Sequence, residues 1–167
     1  MRDHIKKAPP RREPFDLNEA VNEVIATVRS AIAKNRIAVS THFLDGLVPV
    51  EGDRVQLQQV VLNLILNAVE AMSSVEKRTR ELSIRIGQGE AGGGVLVEVG
   101  DSGSGIDPAN HERVFEPFYT TKTSGVGLGL SICRSIVEGH GGKLWVSANE
   151  PRGAVFQFTL PGTIPAL

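Results

Sequence analysis

Val95-Leu-Val-Glu-Val-Gly-Asp101-Ser-Gly-Ser-Gly105 is the stretch that decides how this chain is read. Alternation puts Val95, Val97, Val99 and Asp101 on one face of a strand, so a carboxylate points where core-facing valines point. Such a group is costly to bury unless a hydrogen-bond donor meets it. Gly103 and Gly105 then let the chain bend tightly, so that its backbone can approach a flat ligand closely. The same residues also make an ordinary turn, and the weight of the reading rests on what flanks them.

Upstream, the spacing predicts a helix from Asp53 to about Met72. Along it Gln56, Gln59, Asn63, Asn67 and Glu70 recur every three or four residues on a single face. Solvated helix faces usually carry Lys, Glu and Arg, whereas Asn is a poor helix former that competes for backbone hydrogen bonds. Two Asn in mid-helix, in Asn63-Leu-Ile-Leu-Asn67-Ala68, therefore call for a ligand. The amide oxygen of Asn67 is a hard neutral donor suited to Mg²⁺, which keeps several waters and takes few protein ligands beside phosphate oxygens.

Downstream, Gly125-Val-Gly127-Leu-Gly129-Leu130 opens a third helix, predicted over Gly127 to about Glu138. Free N–H groups and the positive helix end favour phosphate there. The loop is not a Walker A sequence, and its spacing does not match the dinucleotide fingerprint. Just before it, Phe115, Phe118 and Tyr119 stand near Lys122 in a stretch of little periodicity, Asp107 to Ser124. These residues are either core side chains on an excursion or the anchors of a lid that brings Lys122 to a phosphate. Helix amides, strand-end Asp and glycine loop supply metal, base and phosphate contacts, and the buried Asp101 matches the exocyclic amine of adenine.

The remaining chain supports an α/β architecture. Asp16 caps a helix that begins at Leu17, with Glu19 at its third position and Val21, Val24, Ile25, Val28 and Ile32 at helical spacing. Ile37 to Phe43 alternates as a strand and, with Leu47 to Val50 after Asp45-Gly46, reads as a hairpin. Glu81–Gln88, Val95–Asp101, Lys143–Ala148 and Ala154–Leu160 complete the strands. The expected fold is a two-layer α/β sandwich, a mixed sheet of about five strands with three helices on one face. Residues 1–14, rich in Arg, Lys and Pro, read as a linker, 15–162 as one domain and 163–167 as a tail.

At 167 residues with 41% hydrophobic and 22% charged residues, the composition is that of a globular domain. A net charge of −1 gives no basic footprint for nucleic acid. Val60 to Leu66 is too short to span a bilayer, so no membrane contact is expected. Cys133, the single cysteine, forms no internal disulfide and reads as a small apolar helix residue.

The three motifs and the Phe115-Glu-Pro-Phe-Tyr119 segment resemble the N, G1, F and G2 boxes of the ATP-binding catalytic domain of two-component sensor histidine kinases. The resemblance covers about Phe15 to Pro161, and the N box is similar to that of PAS-linked nitrogen- and oxygen-sensing kinases. It implies Asn63, Asn67 and Lys122 as the catalytic set, with Mg²⁺ on Asn67. It further implies nucleotide contacts at Asp101, Gly103, Gly105, Ile106, Phe115, Phe118, Thr121, Gly125, Val126, Gly127, Leu128, Gly129 and Leu130.

Hydrolytic relatives of the gyrase and heat-shock-chaperone type carry a Glu four residues before the metal-binding Asn, where this chain has Asn63. A neutral amide cannot take a proton from water, which favours transfer over hydrolysis. None of His4, His42, His111 and His140 resembles a phosphoacceptor. The implied partners are ATP and ADP, a histidine-bearing dimerisation domain and, through it, a response regulator. The chain reads as starting where the dimerisation helices of a longer kinase would end, and as a cytoplasmic domain, in either a soluble or a membrane-bound sensor.

Overall fold

In the computed structural model the described residues are 12–47, 49–89, 94–119 and 129–162. Element order is β1 (Glu13–Phe15), α1 (Leu17–Lys34), β2 (Ile37–Phe43), β3 (Val50–Gly52), α2 (Arg54–Met72), β4 (Arg80–Gln88), β5 (Val95–Asp101), α3 (Gly129–Gly139), β6 (Leu144–Ala148) and β7 (Ala154–Leu160). Single 3₁₀ turns at Pro108–Asn110 and Arg113–Phe115 break the segment after β5. One mixed sheet runs β2-β4-β5-β7-β6, and β1 and β3 form a separate ribbon. The expected two-layer α/β sandwich with a five-stranded mixed sheet stands, with three α-helices among the described residues.

Alternation explains the layers. Leu82, Ile84 and Ile86 of β4, Val95, Val97 and Val99 of β5, and Phe156, Phe158 and Leu160 of β7 are buried with the apolar faces of the helices in one core. On the other sheet face, register lines up Trp145, Gln157, Glu98 and Arg85 across four strands. Asp16 caps α1 through Glu19 N at 3.3 Å, and Asp53 caps α2 through Gln56 N at 3.1 Å. At the opposite ends, Arg80 closes both helices: its guanidinium donates to Asn35 O at 2.7 Å, Ser73 O at 3.0 Å and Val75 O at 2.9 Å.

Two expectations are corrected. Ile37–Phe43 does not form a hairpin with the segment after Asp45-Gly46. β2 pairs in parallel with β4, from Ile37↔Arg80 to Phe43↔Ile86. A parallel pair needs a long crossover, and α2 is the crossover. Val50–Gly52 pairs instead with Glu13–Phe15, so Glu13 and Pro14, read as linker, belong to a strand.

Candidate functional site: a carboxylate between two tight turns

Asp101 ends the central strand at 1% exposure, and its Oδ1 accepts from Gly103 N at 2.8 Å and Ala154 N at 3.3 Å. Oδ2 takes no hydrogen bond among the described residues. Burial pushes the carboxyl above its ordinary range, while the two N–H donors pull the other way. The strand end is also gripped through its backbone, because Asn149 Nδ2 donates to Asp101 O at 2.8 Å.

Glycine is required on both sides of this carboxylate. A Cβ on Gly103 would lie 2.6 Å from Ala71 O at the end of α2, and one on Gly153 would lie 1.9 Å from Asp101 O. Gly153 also has φ +104. The β5 turn is thus wedged between α2 and the β6–β7 turn. Asn149, Gly153 and Ala154 were missed in the sequence, where Asn149 to Gly153 reads only as a turn. Nothing local marks them, since they meet Asp101 through sheet register some fifty residues on.

The amide face of α2 lies beside α3. Gln59 Nε2 donates to Asn63 Oδ1 at 3.1 Å, and Asn63 Nδ2 donates to Cys133 Sγ at 3.6 Å. Both ends of that amide are therefore engaged. Cys133 is fully buried, as an apolar helix residue should be, and desolvation pushes its thiol up to about 11. Asn67 is half-buried one turn further along and is hydrogen-bonded or otherwise engaged.

Phe115 packs inward, edge-on to Phe156 with centroids 6.0 Å apart, under Arg134 at 4.2 Å. Arg134 also donates to both oxygens of Glu112, at 3.2 and 3.3 Å, and holds that carboxyl below its usual range. Phe118 is 73% exposed with φ 68, whereas Tyr119 is partly buried beneath Arg113. Ile106 and Leu130 pack on the core margin. Gly129 starts α3. Thr121, Lys122, Gly125, Val126, Gly127 and Leu128 lie outside the described residues.

A cleft of about 670 Å³ opens at Gly103 and Ser104, lined also by Ser74, Lys77, Arg78 and Arg152. Gly103 is its sole member from the predicted set. Asn63, Asn67 and Asp101 do not line it. Among the described residues no three His, Cys, Asp or Glu side chains gather to hold a metal ion, and no helix is long and apolar enough to cross a membrane. An amide oxygen with phosphate and water ligands suits Mg²⁺ without such a cluster.

Residues 52–164 match the family model described as histidine kinase-, DNA gyrase B-, and HSP90-like ATPase. The sensor protein TdiS of Thauera aromatica is 36% identical over 96% of this chain and 29% of its own length. The catalytic domain of histidine kinase ThkA superposes with a TM-score of 0.80 at 38% identity, covering 92% of this chain and 97% of that one. ThkA in complex with response regulator TrrA gives 0.77 at 36%, over 91% and 42%. The chain spans about a sixth to a third of the length of the curated relatives it matches. Motif order, sheet topology and these likenesses agree: the chain belongs to the histidine kinase-, DNA gyrase B- and HSP90-like ATPase family, as a catalytic domain of the sensor histidine kinase kind.

Proposed function

We propose that this chain holds Mg-ATP and presents its terminal phosphate to a histidine on a separate dimerisation domain, from which a response regulator is served. The carrying observation is Asn63. At the position where the resemblance puts a water-activating Glu, this chain has an amide with both ends engaged by Gln59 and Cys133. It offers water no base, so the domain binds and orients rather than hydrolyses.

Each residue has a stated part. Asp101 Oδ2 accepts from the adenine amine, the turn at Gly103 and Gly105 lies along the base, and Ile106 supplies apolar contact. Asn67 offers its amide oxygen to Mg²⁺, with Asn63 beside it. N–H groups at Gly129 and Leu130, with Gly125 to Leu128, hold the phosphates, and Lys122 and Thr121 close over them from the Phe115 to Phe118 segment. Bound Mg²⁺ would neutralise phosphate charge, and phosphoryl transfer needs little beyond such neutralisation and positioning. Residues 1–12 would carry the connection to the dimerisation domain, 13–162 the binding domain and 163–167 a tail. ATP as donor puts the domain in the cytoplasm.

The test mixes this chain with a separately made dimerisation domain, Mg²⁺ and ATP labelled at the γ-phosphate. Label should pass to the partner's histidine, and the chain alone should neither label itself nor release phosphate steadily. Steady phosphate release by the chain alone, lost in Asn63→Ala, would instead identify a conformational ATPase.

A further inference from the structure

His140 has no part in the site described, yet it is 6% exposed and both ring nitrogens are engaged. Nδ1 lies 2.8 Å from Ile136 O, which can only accept, so Nδ1 carries the proton. Nε2 lies 3.0 Å from Asp53 N, which can only donate, so Nε2 offers its lone pair. The two bonds together require the neutral Nδ1–H tautomer. The ring sits tightly on the end of β3, where a Cβ on Gly52 would come 2.7 Å from Cδ2. Arg12 donates to the neighbouring Gly139 O.

His140 thereby ties the last residues of α3 to the N-cap of α2. Midway along α3, Cys133 meets Asn63 and Val60. Residue numbers rise along α3 as they fall along α2, so the helices run antiparallel, tied at Cys133 and at His140. From Cys133 to His140 is about 10 Å of helix, which matches the rise from Asp53 to Val60. A slip of one residue would break both contacts.

We propose that His140 is a positioning residue for nucleotide binding: it fixes α3 against α2, and so sets the distance between the Asn63 and Asn67 amides and the α3 start that carries the glycine loop. This rests on the nucleotide reading above. The base contact at Asp101 is held separately, by Gly103, Asn149 and Ala154. Loss of the His140 contact should therefore weaken phosphate binding and spare the base.

The test is titration of this chain with Mg-ATP by calorimetry and with adenosine by NMR, for the parent, His140→Leu, His140→Gln and Gly52→Ala. His140→Leu and Gly52→Ala should weaken Mg-ATP about tenfold, as expected for one buried hydrogen bond, while adenosine stays within about twofold. His140→Gln keeps an acceptor for Asp53 N–H and should recover most of the loss. If His140→Leu does not fold, Gly52→Ala displaces the ring without removing it and carries the comparison. In the parent, ¹⁵N shifts should show Nδ1 protonated and Nε2 bare. Equal losses for both ligands, unchanged Mg-ATP affinity, or a protonated Nε2 would overturn the proposal. A parent that does not bind Mg-ATP would sink the nucleotide reading, and the ring tautomer would then still decide whether the contact itself exists.

Discussion

At Asp101 a stability effect and the proposed base contact can be told apart within one side chain. Its carboxyl is raised by burial, so the folded domain holds the proton more firmly than the unfolded chain does. The stability this contributes is present below the ordinary carboxyl range and is lost as pH rises through and above it. Asp101→Asn removes the buried charge, and its oxygen can still accept from Gly103 and Ala154. The variant should unfold at the same or a higher denaturant concentration near pH 7, without the parent's loss of stability across the acid range. Its amide nitrogen would face the adenine amine as donor against donor, weakening ATP by about 1–3 kcal/mol in calorimetry. Unchanged affinity would make Asp101 a turn residue only. The carboxylate was legible in the sequence because valine alternation forces it inward. Its supports were not, because Asn149 and Gly153 reach it only after β7 pairs with β5.

Elements were legible where one chain segment contains its own reason. The cap at Asp16, the apolar stripes of α1 and α2 and the alternating strands are all local patterns. Pairing is not local. Ile37 to Phe43 announces a strand, but it cannot say that its partner lies beyond α2. Arg80 shows the same limit, since its three carbonyl partners come from the ends of α1 and α2 and the loop that follows. A fixed planar fork satisfies carbonyls that the helix ends leave open. Arg80→Ala should cost about 2–3 kcal/mol in urea unfolding with an unchanged slope. Arg80→Lys should recover little, because one ammonium cannot span three such positions. Full stability in the alanine variant would show that solvent replaces the guanidinium.

At the scale of the molecule, composition and motif order were enough for the architecture, while the arrangement of the two halves of the site depends on packing. The proposed base side is built into the sheet: β5 is flanked by β4 and β7, with Asp101 opposite Leu82 and Gly100 opposite Val155. The proposed phosphate side starts at α3, which is attached to α2 through side chains. Central position in the sheet has a consequence for local opening. Backbone amides of Val97 to Gly100, paired on both sides, should exchange with deuterium only when the whole domain unfolds, as part of its most protected unit. Saturating Mg-ATP should slow exchange at the first turn of α3 well beyond the global gain in stability. The β5 amides should slow by that global gain alone, and an extra slowing there would show that the strand opens on its own before nucleotide arrives.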